Sequence, residues 1–375
     1  MRKLCLLIAA ILLCNVLAVS SCRKKPEGPY LEACGIEHEE EFGGIYIKKT
    51  IDEFNALGFE YGDSVNIRFS NGFELENIPY YNGYYVQVGG TELVAYKGYK
   101  YIKVVINFGN DIWNEAKVGT DDTAVVELAG KGTYLDIQQA RDLMYVDDPT
   151  VFPSEEVFAN FRSIDLGNLK KDILYRSASP CDNQHNRAPY VDKLMNRSGV
   201  NCVLDLADND EKISGYMESD DFDSPYFASL YNRGKVIPVA LSSNYHDDEF
   251  NRRLCEGITK MISSDGPYLI HCTEGKDRTG FVCLLLGALA GGSYQELKDD
   301  YMVTYYNYYS FDEVSDKTKY DTIVDSLFGP MVEVIAGTGV DYKTSDLTGY
   351  ARDYLSRYGM SDSDIDTLVK KIIVS

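Results

Sequence analysis

Ten consecutive residues, 271–280, combine side chains that can bind an anion with one that can attack it. They read His-Cys-Thr-Glu-Gly-Lys-Asp-Arg-Thr-Gly, and five residues separate Cys272 from Arg278. A strand-like run ends at Ile270, and an apolar helix is predicted over residues 281–289. A loop that leads into a helix N-terminus offers unpaired N–H groups and the positive end of the helix dipole. The spacing therefore predicts a phosphate-binding loop.

The backbone of this loop is expected to form an anion nest, with Gly275 permitting the dihedral angles of the tight curl. The predicted phosphate-binding residues are Thr273, Glu274, Gly275, Lys276, Asp277 and Arg278.

The side chains supply the chemistry. Arg278 offers a planar fork that can bind two phosphate oxygens. The same electropositive surroundings favour the thiolate of Cys272, which can attack phosphorus. Thr279 can donate its hydroxyl to the sulfur, and His271 is expected to orient the loop by hydrogen bonding. Cys272 and Arg278 are thus the predicted nucleophile and phosphate clamp.

These residues resemble the signature loop of the protein tyrosine phosphatases, His-Cys-x-x-Gly-x-x-Arg-[Ser/Thr]-Gly. The variant with Gly-Lys-Asp-Arg is similar to a bacterial branch that acts on phosphotyrosine and, in some members, on phosphoserine, phosphothreonine and phosphoinositides. The resemblance extends over about residues 153–375. It includes Asn160-Phe161-Arg162, Leu174-Tyr175-Arg176-Ser177-Ala178, Val203-Leu204-Asp205-Leu206 and the C-terminal pattern of Tyr354-Leu355, Ser361 and Ile365. It implies hydrolysis of phosphomonoesters through a phosphocysteine intermediate, with no cofactor and no metal.

One position departs from the branch. Its Asp-Leu strand end is commonly followed by Arg, whereas this chain has Ala207. Arg162 or Arg176 is the candidate to supply that positive charge.

A general acid must protonate the leaving oxygen, and several aspartates are candidates. Asp277 is the first choice, because the resemblance places Lys276 and Asp277 beside the substrate. The remaining candidates follow two predicted strands, and they are Asp208, Asp210, Asp247 and Asp248.

The predicted substrate is protein phosphotyrosine, with dual specificity as an extension. A first alternative is a phosphoinositide or inositol polyphosphate, which Lys276 favours, although Glu274 and Asp277 leave the loop formally neutral. A second alternative is a surface-anchored binding protein with weak phosphatase activity. The net charge of -21 argues against a nucleic-acid partner.

The N-terminus predicts export. Arg2 and Lys3 precede an apolar run over residues 4–19, and Val-Ser-Ser-Cys closely resembles a bacterial lipobox ending at Cys22. We therefore expect a lipoprotein signal peptide over residues 1–21, lipidation of Cys22, and a tether over residues 22–40. The protein would be an exported bacterial lipoprotein in the periplasm or on the cell surface, held to a membrane only by its lipid anchor.

Cysteine and histidine usage does not favour a metal site. The chain has nine Cys and four His, without a Cys-x-x-Cys motif or a His cluster. Cys202 and Cys283 lie in apolar runs, which is typical of buried free thiols.

The elements that must position the loop form an α/β domain over residues 150–375. Apolar runs at 199–206, 235–239 and 267–271 alternate with helical stretches, which predicts a central, mainly parallel sheet flanked by helices. Near the C-terminus, Ser361 and Asp364 predict a helix start after a break at Gly359. Alternating short runs over residues 41–145 predict a separate small β-rich domain, a barrel or a sandwich, whose role the sequence does not indicate.

Overall fold

A computed structural model describes residues 28–309 and 311–374. The predicted signal peptide and Cys22 lie outside these residues. The chain divides between Leu135 and Asp136 into two compact units. Among the described residues, no helix is both long enough and apolar enough to cross a membrane.

The first unit is a closed barrel of seven strands in the order β1-β2-β6-β5-β4-β3-β7. Only β4 and β5 pair in parallel; the other neighbours are antiparallel. Its strands are β1 (Tyr30–Glu39), β2 (Gly44–Ile47), β3 (Ser64–Phe69), β4 (Glu74–Tyr81), β5 (Thr91–Val94), β6 (Ile102–Ile106) and β7 (Thr123–Gly130), with helices α1 (Ile51–Asn55) and α2 (Ile112–Ala116).

Residues 30–39 form a strand of this barrel, so the predicted tether over residues 22–40 is wrong for that segment. Leu31 and Ile36 of β1 are buried in the barrel core. β1 also closes the barrel by pairing with both β2 and β7. The charged residues that suggested a tether, such as Glu32 and Glu37, lie on the exposed side of this strand.

The second unit begins earlier than residue 150. Ala140 belongs to its hydrophobic core, and Tyr145 forms a β-bridge with Tyr309. Residues 136–145, which the sequence analysis placed in the β-rich domain, therefore pack with the second unit.

The second unit is an α/β fold around a five-stranded mixed sheet in the order β11-β10-β12-β9-β8. β11, β10, β12 and β9 run parallel, and β8 is antiparallel to β9. The strands are β8 (Arg162–Ser163), β9 (Leu174–Ser177), β10 (Cys202–Asp205), β11 (Val236–Pro238) and β12 (Tyr268–His271). The α/β prediction is confirmed, and the sheet is mixed because of the edge strand β8.

Helices make up most of the rest of this unit. They are α3 (Leu135–Arg141), α4 (Glu155–Phe158), α5 (Ala188–Arg197), α6 (Asp210–Met217), α7 (Pro225–Asn232), α8 (Asp248–Ile262), α9 (Asp277–Leu289), α10 (Tyr294–Tyr308), α11 (Lys317–Ile323), α12 (Gly329–Ala336), α13 (Thr348–Arg357) and α14 (Asp362–Ile372), with a 3-10 turn at Pro149–Val151 and a π turn at Val324–Phe328.

Two details of the helices bear on the sequence predictions. The Ser361 side chain caps α14 by accepting a hydrogen bond from the Asp364 N–H, as predicted. α9 is buried from Thr279 to Leu289, as befits a helix of apolar residues.

Candidate active site

The loop that carries Cys272 connects the middle strand of the mixed sheet to α9. β12 ends at His271, and α9 begins at Asp277 rather than at residue 281 as predicted. The Gly280 N–H donates to the Lys276 carbonyl oxygen at 2.8 Å, which starts the helix earlier. Residues 272–276 are thus the loop proper, and Arg278 lies in the first helical turn.

Three consecutive carbonyl groups of this loop, those of residues 273–275, accept hydrogen bonds from outside it. Ser179 N donates to the first at 3.0 Å, Asn160 Nδ2 to the second at 3.1 Å, and Arg176 Nη2 to the third at 2.7 Å. In a trans peptide the N–H points away from the C=O. Holding these carbonyls outward therefore turns the next three N–H groups toward the inside of the curl, where an anion nest is expected.

The third of these hydrogen bonds comes from a buried charge. Arg176 is 0% exposed and forms an ion pair with Asp300. Arg162 shares this carboxylate through its Nε at 3.0 Å. Burial opposes the ionised form of Asp300, but the two guanidinium groups lower its pKa. Both arginines proposed as replacements at Ala207 are therefore paired with Asp300 beneath the loop.

Gly275 cannot be replaced without moving the loop. Its φ is +69°, in the region that favours glycine. A Cβ there would lie 2.0 Å from the Ser177 carbonyl oxygen, at the end of β9. The glycine thus allows the loop backbone to pack directly on the neighbouring strand end.

Cys272 and Arg278 lie on this scaffold in a fixed arrangement. Cys272 follows β12 directly and is 3% exposed. The Arg278 guanidinium donates to the Leu241 carbonyl oxygen at 3.1 Å and to Thr273 Oγ1 at 3.4 Å. These contacts hold the guanidinium across the loop. Thr279 is fully buried, and its Oγ1 has no hydrogen-bond partner among the described residues.

The side chains of Glu274 and Lys276 pair with each other at 2.9 Å. Tyr145 Oη donates to Glu274 at 2.7 Å, and Lys276 Nζ donates to Tyr309 Oη at 2.8 Å. Burial disfavours the charge on Lys276, but the carboxylates of Asp277 and Glu274 raise its pKa well above the usual value. The loop is therefore edged by an ion pair and two tyrosine hydroxyls.

The candidate general acids differ in their surroundings. Asp277 lies in the first turn of α9, its side chain is 49% exposed, and it accepts a hydrogen bond from Tyr301 Oη at 3.3 Å. Asp208 is buried. The other three stand at helix starts: Asp210 begins α6 and accepts from Tyr231 Oη at 2.8 Å, Asp247 caps α8, and Asp248 begins α8.

His271 is fully buried beneath the loop. Its Nδ1 donates to the Cys272 carbonyl oxygen at 3.3 Å. Burial lowers the pKa of His271 to about 4, so the imidazole is neutral at physiological pH. A neutral, hydrogen-bonded ring agrees with the orienting role expected for it.

The residues that hold the loop carbonyls were not among the predicted site residues. Asn160 and Arg176 lie in segments that carry the family resemblance, and only that resemblance could have pointed to them. No sequence pattern marks Asp300, because its contact with Arg176 joins positions 124 residues apart in the chain.

Residues 157–374 match the model of the tyrosine phosphatase family. This range is more than half of the chain, so the chain belongs to that family, and the match supports phosphatase activity. No curated protein matches the chain significantly.

Solved structures share local similarity with the chain. An uncharacterized conserved protein from Thermotoga maritima matches at 16% identity and TM-score 0.23, over 27% of this chain and 37% of that one. The core catalytic domain of the PP-IP phosphatase SIW14 from S. cerevisiae matches at 19% and 0.26, over 46% and 91%. P. aeruginosa TpbA matches at 17% and 0.22, over 56% and 92%. These values carry no argument about the substrate.

Replacing Gly275 by Ala should disable the loop. The added Cβ forces the backbone away from Ser177 and turns the loop amides out of position. We expect kcat/KM for p-nitrophenyl phosphate to fall by about 100-fold or more. Gly349→Ala is the control, because a Cβ there meets no atom within 4 Å. Equal activity of the two variants would contradict the role of Gly275.

Replacing Asp300 by Asn should destabilise the fold, because two buried guanidinium groups lose their counter-charge. We expect a loss of about 3 kcal/mol in the free energy of unfolding by urea at pH 7. Asp299→Asn is the matched control, since that side chain is 57% exposed.

The effect of Asp300 should depend on pH. The pKa of this carboxyl is lowered by folding. Its stabilising contribution is therefore complete above the pKa of an unfolded Asp, about 3.9, and is lost as the pH falls through the lower folded value. A difference between Asp300→Asn and wild type that grew on acidification would contradict this account.

Proposed function

We propose that the protein hydrolyses phosphomonoesters through a phosphocysteine intermediate and that its main substrates are protein phosphotyrosines, with dual specificity as an extension. The observation that carries the proposal is that residues 272–276 form a loop whose carbonyls are fixed by hydrogen bonds from outside it. Three carbonyls are anchored outward, Cys272 stands at its start, and Arg278 lies across it.

In the first step, the Cys272 thiolate attacks the phosphorus atom. The S–P bond forms while the bond from phosphorus to the leaving oxygen breaks. The loop amides and Arg278 stabilise the charge on the three equatorial oxygens. Asp277 gives its proton to the leaving oxygen.

In the second step, a water molecule attacks the phosphocysteine. Asp277 accepts a proton from this water, the S–P bond breaks, and inorganic phosphate forms. The buried hydroxyl of Thr279 is available to donate to the departing sulfur. The positive charge needed in both steps comes from Arg278 and the backbone, so this route uses no metal.

Two observations support phosphotyrosine as the substrate. Tyr145 and Tyr309 flank the ion pair at the loop edge, with ring centroids 5.1 Å apart, and aromatic faces suit a phenyl leaving group. The charges of Glu274 and Asp277 offset those of Lys276 and Arg278. A loop without excess positive charge suits one phosphate better than several.

One observation favours a phosphoinositide or inositol polyphosphate as the second candidate. Burial lowers the pKa of Arg141, but the carboxylate of Asp277 together with Tyr305, Tyr301 and Tyr245 raises it above the usual value. Arg141 therefore adds a cation near Asp277, where further phosphates of such a ligand could bind.

The decisive experiment compares phosphate release from a phosphotyrosine peptide with that from inositol hexakisphosphate and phosphoinositide vesicles. The reduced chain is assayed with EDTA, with and without vanadate. We expect turnover on the peptide that resists EDTA and is blocked by vanadate. Cys272→Ser should have no measurable turnover while still binding phosphate.

Comparable turnover by Cys272→Ser would exclude the proposed nucleophile. Faster release from the inositol substrates would establish the second candidate. Absence of turnover on every substrate would favour a binding protein.

The general acid is tested by leaving-group dependence. Asp277→Asn should slow hydrolysis of phenyl phosphate by about 100-fold, because its phenolate needs a proton to leave. Hydrolysis of 2,4-dinitrophenyl phosphate should slow much less, since that leaving group departs as an anion. The assignment would be wrong if Asp277→Asn slowed both substrates equally and another variant slowed only phenyl phosphate. The variants to compare are Asp208→Asn, Asp210→Asn, Asp247→Asn and Asp248→Asn.

We also propose that the protein is an exported bacterial lipoprotein anchored through Cys22. The basic pair, the apolar run and the lipobox-like Val-Ser-Ser-Cys support this location. Incorporation of labelled fatty acid by wild type but not by Cys22→Ala would bear it out, and equal labelling of both would exclude it.

A further inference from the structure

Four buried polar side chains lie where three adjacent parallel strands end. Asp205 and His271 are the last residues of β10 and β12, and Cys181 and Asp208 follow β9 and β10. The Cys181 Sγ atom and one carboxylate oxygen each of Asp205 and Asp208 all lie within 4.8 Å of one another. His271 Nε2 lies 3.8 Å from Asp205 Oδ2. None of the four side chains has a role in the proposed proton transfers.

The cluster contains polar atoms without partners. Asp205 Oδ2, Asp208 Oδ2 and His271 Nε2 are buried and have no hydrogen-bond partner within residues 28–309 and 311–374. Asp205 Oδ1 is fixed by the N–H groups of Ala207 and Asp208, at 2.9 and 3.1 Å, which leaves Oδ2 free. Unpartnered buried oxygens of this kind are costly unless a proton or a cation satisfies them.

The positive charge near the cluster is already engaged or exposed. The Arg278 guanidinium acts on Asp205, but it also binds the Leu241 carbonyl oxygen and Thr273 Oγ1. Lys212 Nζ lies 3.9 Å from Asp208 Oδ1, but the lysine side chain is 60% exposed and therefore well screened. Two carboxylates that are 0% and 2% exposed thus share a space in which a cation would be stabilised.

We propose that Cys181, Asp205 and Asp208 bind a divalent cation of the zinc type, with His271 Nε2 as the fourth ligand. Thiolate, carboxylate and imidazole together suit Zn²⁺, whereas Mg²⁺ and Ca²⁺ prefer oxygen ligands alone. Bonds of about 2.3 Å to sulfur and 2.1 Å to oxygen place tetrahedral ligands roughly 3.6 Å apart. The ligand atoms of Cys181, Asp205 and Asp208, which lie within 4.8 Å of one another, therefore need to close by only about 1 Å. His271 Nε2 would approach from the side of Asp205, 3.8 Å from its Oδ2.

This cation would position the loop rather than take part in the reaction. A metal bound at His271 Nε2 requires the ring proton to be on Nδ1, the atom that donates to the Cys272 carbonyl oxygen. The cation would thus stabilise the ring orientation that the Nδ1 hydrogen bond already sets, so turnover is still expected in EDTA.

The test is a Zn²⁺ titration of the reduced full-length chain against a chromophoric chelator. The titration uses the Cys272→Ser protein, so that the thiol of Cys272, next to His271, cannot compete with Cys181 for the metal. We expect one Zn²⁺ per chain, and an affinity at least tenfold lower after adding Cys181→Ser or Asp208→Asn. Cys255→Ser is the control, because Cys255 is also a buried free thiol but lies in α8, outside the cluster.

Cobalt provides a readout that needs no change within the cluster. Co²⁺ added to the Cys272→Ser protein should give a sulfur-to-cobalt charge-transfer band, whether or not the Cys181 variant folds. Absence of that band, absence of one-to-one Zn²⁺ binding, or affinity unchanged by Asp208→Asn would overturn the proposal and leave a proton shared by the two carboxyls. Because the assay measures binding, its outcome is independent of phosphatase activity.

Discussion

The ability of the loop to bind an anion depends on three hydrogen bonds to the carbonyls of residues 273–275. The peptide planes of a tight backbone curl can rotate, so its N–H groups need not point to the same side. Hydrogen bonds from Ser179, Asn160 and Arg176 hold the carbonyls on the outside and so direct the N–H groups inward. Arg176 belongs to β9, Ser179 follows that strand, and Asn160 precedes β8. Because the fold fixes these donors, the loop is organised before an anion arrives. Such preorganisation is the main source of electrostatic stabilisation in a transition state.

The arrangement requires buried charge. Arg176 is completely buried, and it can remain there only because Asp300 neutralises it. Arg162 binds the same carboxylate, and its Nη2 also donates to the backbone carbonyl of Asp300 at 2.8 Å. A network on β8, β9 and α10 thus supports a loop that belongs to none of them. His271 supports the loop from a second direction as a neutral donor.

Local features of this site could be predicted from the sequence. Cys272, Gly275 and Arg278 are close in the chain, and the strand before them and the helix after them follow from apolar runs. The Ser361 cap is likewise a local signal, and the structure confirms it.

Long-range features could not be predicted in the same way. The salt bridge between Arg176 and Asp300 depends on the packing of α10, which no local pattern reports. The start of α9 was misplaced because Asp277 and Arg278 were assigned to the loop by their chemistry, although their backbone is helical. Residues 30–39 were misassigned because they carry exposed charges and because a register shift between Leu31 and Cys34 breaks the regular alternation of buried positions.

The central claim is that phosphate passes through the sulfur of Cys272. The most direct measurement is rapid acid quenching of turnover with an aryl phosphate, followed by peptide mass spectrometry. The account predicts a phosphate on the peptide that contains Cys272, appearing before inorganic phosphate is released. Steady turnover with an unmodified Cys272 at every quench time, or with phosphate on another residue, would contradict it.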